Sequence, residues 1–173
     1  MRHYFQLLFF AVFAIGAFSS CAGYRLGVNK PPALTKVKKI HVPMFSNQSF
    51  HPRAEALATS AVVNAFTTDG TYRITSLDEA DAVLEGRVAS IQYSQLVGNR
   101  LDTALPEQLR NSVTLGWELK DSRDRGKVLM AGSSVGTSQL FVTSNLQTSR
   151  NNALPEAVER AGETMVSQLS NSY

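Results

Sequence analysis

"VTLGWELKDSRDRGKVLM", residues 113–130, decides the fold. Val113, Leu115, Trp117 and Leu119 alternate with Thr114, Gly116 and Glu118, the period of two that turns one side of a strand to a core. The run then breaks into "KDSRDRGK", residues 120–127, a polar stretch that predicts a hairpin loop. Apolar character resumes at Val128 and extends to Val142, with Gly132 and Gly136 predicting a flexible or bulged return strand. Two strands joined by one short loop pair antiparallel.

Upstream, "LDEADAVLEGRVASIQY", residues 77–93, places Leu84, Gly86 and Val88 on one face. Ile91 and Tyr93 continue on the opposite parity, which predicts a bulge or sharp twist near Ala89 and Ser90. "YRITS", residues 72–76, is a short strand candidate; "VKKIHVPM", residues 37–44, is another, with Pro43 ending its pairing. "FSNQSFHP", residues 45–52, is predicted to turn the chain. From Arg53 to Phe66 the residues Leu57, Ala58, Ala61, Val62, Ala65 and Phe66 recur at helical spacing, and Asp69-Gly70 stops the element. A second helix runs from about Asn152 to Leu169, with Leu154, Ala157, Val158, Ala161, Met165 and Leu169 on one face. Asn152 is its expected cap, and Pro155 falls early enough to be tolerated. The order strand, helix, several strands, helix predicts an α+β fold: two helices packed on one face of a mixed, largely antiparallel sheet of about four to five strands.

The N-terminus reads differently. Arg2 precedes a nearly unbroken apolar run at residues 4–18, and Ser19-Ser20 lead to Cys21. This is the order of an export signal, and the run is shorter than the roughly 20 residues that cross a bilayer. A cysteine directly after small residues resembles the bacterial lipobox, in which the sulfur is acylated and becomes the mature first residue. Ala22 follows it, with no aspartate as an inner-membrane retention signal. The expected organisation is a lipoprotein signal peptide at 1–20, a lipidated tether at 21–36 and a single domain at 37–173.

Composition narrows the chemistry. The chain carries 17 basic and 14 acidic residues, scattered and without a dense basic run, so nucleic acid is an unexpected partner. One cysteine and three separated histidines leave no readable metal or disulfide framework, and no cofactor is expected. The chain offers little that reads as a nucleophile with its base, and His41 and His51 read as surface or capping residues. Asp78, Glu79 and Asp81 cluster without the spacing of a calcium loop. An enzyme is therefore not expected; binding remains. Lys120, Arg123, Arg125 and Lys127 gather at the predicted hairpin tip, diluted by Asp121 and Asp124, and arginine forks match phosphate geometry. "VGNRLDTALPEQLRN", residues 97–111, is long for a hairpin connection and is a second candidate for a partner surface.

"CAGYRLG", residues 21–27, resembles the mature start of the LptE family of lipopolysaccharide-assembly lipoproteins, with Cys21, Gly23, Tyr24 and Leu26 in the matching places. "KKIHVPMFSNQSF", residues 38–50, resembles the family's first strand and turn. The resemblance implies an outer-membrane lipoprotein, held in the membrane by its acyl chains, on the periplasmic side or inside a barrel lumen. It would plug the LptD barrel and assist lipopolysaccharide assembly without catalysis, contacting lipopolysaccharide through basic residues. "IHVPMFSN", residues 40–47, ahead of a helix also resembles CsgG-like lipoproteins, including activators of peptidoglycan synthases. That alternative would have a penicillin-binding protein as partner.

Overall fold

In a computed structural model describing residues 30–96, 108–141 and 145–171, the alternation at residues 113–119 belongs to a longer strand. The elements run β1 (Lys39–His41), β2 (Ser46–Asn47), α1 (Ala54–Asp69), β3 (Arg73–Ile74), β4 (Ala82–Gln95), β5 (Gln108–Asp121), β6 (Val128–Phe141) and α2 (Leu146–Ser170). The signal segment, Cys21 and residues 97–107 of the long connection lie outside the described residues.

The sheet has six strands in the order β3-β1-β4-β5-β6, with β2 also pairing β4. β1 pairs parallel with β3 and with β4, and β2 pairs parallel with β4. Only β4–β5 and β5–β6 are antiparallel. The expectation of four to five largely antiparallel strands is thus corrected to a mixed sheet of six. The physical reason is the crossover: parallel neighbours need a connection of a dozen or more residues, and the 16-residue α1 lies between β1 and β3. The stretch read as a turn at 45–52 contributes the extra strand β2, and Phe45 is buried in the core beside it. Gly86 makes that possible, because a Cβ there would overlap the Phe45 ring. The bulge expected near Ala89 is present: the β4–β5 register shifts between Val88 and Ser90.

Leu84, Val88, Val113, Leu115, Trp117 and Leu119 share one core with Val62 and Phe66 of α1 and Val158, Met165 and Leu169 of α2. Small residues bring the layers together. A Cβ on Gly136 of β6 would overlap the Ala157 carbonyl oxygen and the Ala161 backbone nitrogen, so α2 rests directly on the strand's backbone. Gly162 lies as close to the Ala61–Val62 backbone as ordinary contact allows, 3.4 Å from a Cβ position, and seats α2 on α1.

α2 starts earlier than its periodicity suggested. Asn145 is the cap, its Oδ1 accepting from the Thr148 N–H at 3.1 Å, and the expected cap Asn152 is interior. Pro155 sits inside the helix, where it cannot donate to the preceding turn. The turn around it is held from the sheet instead: Ser138 Oγ donates to the Ala153 carbonyl at 2.6 Å, and Ala153 packs with Leu109 and Leu140. Within the stretch read as a tether, Leu34 is buried in the core, and Lys30 Nζ bonds the Val37 carbonyl at 2.9 Å.

Asp81 ties the start of β1 to β4. Its Oδ2 accepts the backbone N–H of Lys38 and of Lys39, each at 2.9 Å. Those two bonds hold its carboxyl below the ordinary carboxylate range. A depressed carboxylate contributes stability above its unfolded pKa of about 3.9, lost as pH falls through the lower folded value. Asp81→Ala is expected to lose about 1 kcal/mol at neutral pH, the usual worth of a charged acceptor discounted for solvent. Urea unfolding should show the gap between variant and parent closing as the pH is taken to the acid side of that window.

Candidate functional site

The sheet has two faces of different character. Residues of odd number in β5 meet the helices, and Leu109, Val113, Leu115, Trp117 and Leu119 among them are buried. The opposite face carries no helix among the described residues. In register across it stand Arg87 and Gly116, Ser90 and Thr114, Gln92 and Ser112, Ser94 and Arg110. A strand buried on both faces reads as continuous apolar sequence, and this one does not. Over β4 and β5 the open face is a surface of hydroxyls, amides and charged groups, with exposed Val135 and Phe141 beside it on β6; Arg87 lies across Gly116, where a Cβ would come within 2.8 Å of its guanidinium carbon.

At one end of this face is the β5–β6 hairpin. Its two aspartates, which by composition dilute the basic charge, build the turn. Asp121 Oδ1 accepts the Arg123 N–H at 2.9 Å, and Asp124 Oδ1 accepts the Gly126 N–H at 3.1 Å. The turn is closed by Lys127 N–H to the Asp124 carbonyl and Asp121 N–H to the Lys127 carbonyl. Arg123, Arg125 and Lys127 are exposed there.

Lys120 is set apart from those three. It lies within β5, its Nζ 2.6 Å from Glu85 and 3.3 Å from Glu118, and the hydrogen bond to Glu85 raises its pKa. Two carboxylates already surround it. Of the four residues nominated from sequence, three form an exposed tip and the fourth belongs to a cross-strand ion cluster.

The topology adds cations that linear reading did not find. Because β1 runs parallel to both β3 and β4, the starts of all three strands lie at the hairpin's end of the sheet: Lys39 faces Arg73, and Ala82 faces both Ile40 and Asp121. Lys38 and Arg73 therefore join Arg123, Arg125 and Lys127, while Lys39 pairs with Glu79 at 3.1 Å. The signal that would have found them is the parallel register, which composition does not contain.

The opposite end holds aromatic and basic groups. Tyr93 Oη lies 3.0 Å from His51 Nε2, and the Arg150 guanidinium sits 4.7 Å above the Tyr93 ring. Burial raises the Tyr93 phenol. His41 Nδ1 lies 3.0 Å from the Thr75 carbonyl. His41 and His51 are thus each engaged with a neutral oxygen, an arrangement for positioning chain segments. Among the described residues no group of three His, Cys, Asp or Glu side chains is placed to hold a metal ion, and no helix is long and apolar enough to cross a membrane.

Comparison with known proteins gives three results. Residues 37–169 match the model of the family LptE, described as lipopolysaccharide-assembly. No curated protein matches the chain. Among solved structures, the hypothetical protein CT253 from Chlamydia trachomatis has a TM-score of 0.54 at 8% identity, covering 78% of this chain and 96% of its own. A minor lipoprotein from Acinetobacter baumannii gives 0.51 at 10% identity, covering 78% and 93%. Uncharacterized lipoprotein B from Nitrosomonas europaea gives 0.51 at 11% identity, covering 86% and 90%. At these identities the likeness establishes the fold.

Proposed function

The chain belongs to the LptE lipopolysaccharide-assembly family, and on that premise we propose that it is a lipoprotein of the outer membrane, anchored through acylated Cys21. There it sits in the lumen of an LptD-like β-barrel and assists delivery of lipopolysaccharide to the surface. The observation that carries this reading is the uncovered polar face of β4 and β5. An apolar sheet face would call for a second helical layer; a face of serine, threonine, glutamine and arginine suits the water-filled, polar interior of a barrel. The helices cover only the other side. Nothing in the site calls for bond-making chemistry, and the role is binding and positioning.

The basic end supplies the lipopolysaccharide contact. Phosphate groups meet Arg123, Arg125 and Lys127 at the exposed tip, where each cation near an anionic surface contributes about 1 kcal/mol at modest ionic strength. Replacing those three by alanine is expected to weaken binding of purified protein to lipopolysaccharide by on the order of a hundredfold in low salt, and by much less in high salt. Lys120→Ala, which removes a cation already held by two carboxylates, is expected to change binding by less than about threefold. Equal losses from the triple variant and from Lys120→Ala would move the site off the tip. Recovery of a large β-barrel when the protein is purified from detergent-solubilised envelopes tests the partner; recovery of a cell-wall synthase in its place would replace this reading with the CsgG-like one.

A further inference from the structure

β6 is the long border of the sheet. It runs for 14 residues and pairs only with β5, whereas β2 and β3 at the other border are two residues each. A border of that length presents a row of backbone donors and acceptors to any strand that arrives. Charges or a proline within the strand would discourage such pairing, and β6 contains neither. Ala131, Ser133, Val135 and Gln139 are exposed along it.

What covers the border comes from α2. Arg160 Nη1 donates to the Thr137 carbonyl at 3.1 Å, and Gln168 Nε2 donates to the Ser133 carbonyl at 3.3 Å. The spacings match: eight helical residues rise about 12 Å and four strand residues advance about 13 Å, so one helix flank meets both carbonyls. Gly136 sets the contact by letting α2 rest on the strand at Ala157 and Ala161. Glu156 aims the arginine, its Oε1 accepting from Nη2 at 2.6 Å. Midway between the two covered carbonyls, Val135 is 50% exposed and receives no side-chain hydrogen bond among the described residues.

We propose that Arg160 and Gln168 guard this border: they occupy the outward carbonyls that a second copy of this chain would use, and so keep the protein monomeric. The excluded partner is a second copy because the border is self-complementary. An antiparallel two-fold pairing centred on Val135 sets Ser133 of each copy opposite Thr137 of the other, so that the guarded positions face one another. It also sets Val135 against Val135, a β-branched cross-strand pair, and Ala131 against Gln139. The two guards stand symmetrically about that centre, where they block both halves of the pairing at once. The proposal is independent of the lipopolysaccharide reading and needs neither lipid nor barrel.

The test uses the chain from residue 21 onward with Cys21→Ser, followed by sedimentation velocity over a range of protein concentrations. The expected result is a monomeric parent and a dimer in the Arg160→Ala/Gln168→Ala variant. Its dissociation constant should be lower by on the order of a hundredfold, because a two-fold dimer displaces the guards of both copies. Adding Val135→Lys to that variant sets like charges opposite one another at the symmetry centre and is expected to return it to monomer. Amide exchange at Val135 should slow in the dimer and regain the parent rate in the triple variant, with circular dichroism unchanged throughout. A double variant as monomeric as the parent overturns the proposal. So does a parent that dimerises as tightly as the double variant, and so does assembly that persists with Val135→Lys, which would belong to another surface or to unfolded chains.

Discussion

Gly136→Val is expected to destabilise the domain by about 3 kcal/mol or more, the upper range for forcing atoms into a packed interior. The cause is space, since Gly70 is the one glycine of positive φ among the described residues. A Cβ at residue 136 overlaps backbone atoms at Ala157 and Ala161, near the middle of the 25-residue α2. A side chain in that position can rotate away, but a helix backbone can yield only by lifting from the sheet, taking Val158, Met165 and Leu169 out of the core with it. Valine's preference for strands amounts to less than about 1 kcal/mol and is overwhelmed. Gly86→Ala is a useful contrast, because what it meets is the Phe45 ring, which has rotamers to move through. Gly126→Ala at the hairpin, 3.3 Å from an aspartate side-chain oxygen, should be nearly silent. Urea unfolding followed by circular dichroism orders the three; a loss below about 1 kcal/mol for Gly136→Val would mean that α2 does not rest on β6 as described.

What the sequence revealed of this fold follows the range of the interactions that make it. The alternation from Val113 to Leu119 and the change of parity between Val88 and Ile91 are local, and both became the strand and the bulge they implied. β1 and β2 were not legible as a parallel pair on β4, because three residues and two residues carry no period of their own. Their pairing is decided by contacts across α1. Phe45 sits in a stretch of turn-forming residues, and only the missing side chain at Gly86, far along the chain, makes a buried site for it. The start of α2 was misplaced because two asparagines compete as caps and Pro155 argues for the later one. The bond from Ser138 to the Ala153 carbonyl, which holds the earlier turn on the sheet, is a tertiary contact.

The candidate site divides the same way. The hairpin tip is contiguous, so Arg123, Arg125 and Lys127 could be nominated from residues alone. Lys120 was grouped with them by proximity in sequence, yet Glu85, 35 positions away, claims it through the β4–β5 register. Lys38 and Arg73 were passed over for the converse reason: they reach the basic end through parallel pairing. The surface that carries the functional proposal, the open sheet face, is legible in sequence as the polar half of the β5 alternation and of its partner positions on β4. What needed the structure was the finding that both helices choose the other side.

Cys21→Ser is expected to abolish binding of the purified protein to zwitterionic phosphatidylcholine vesicles, from essentially complete co-sedimentation to none. The described domain offers no helix able to cross a bilayer, so on the lipoprotein reading the acyl chains carry all of this attachment. One chain of myristoyl length gives an association constant of only about 10⁴ M⁻¹, and each further buried CH₂ adds about 0.8 kcal/mol, so several chains on one sulfur make release negligible. Serine keeps the size and polarity of the position and accepts none of them. Neutral vesicles matter to the design, because Arg123, Arg125 and Lys127 would hold even the unlipidated protein on anionic lipid, at about 1 kcal/mol each. The absence of any barrel matters equally, since a protein seated in a lumen stays with the membrane whether or not it is acylated. To avoid an uncleaved leader, the variant is exported behind an ordinary signal sequence and purified from the periplasm. Equal co-sedimentation of the serine variant and the native lipoprotein would take the anchor away from Cys21 and place it in the folded domain, where the uncovered face of the sheet would then have to account for it.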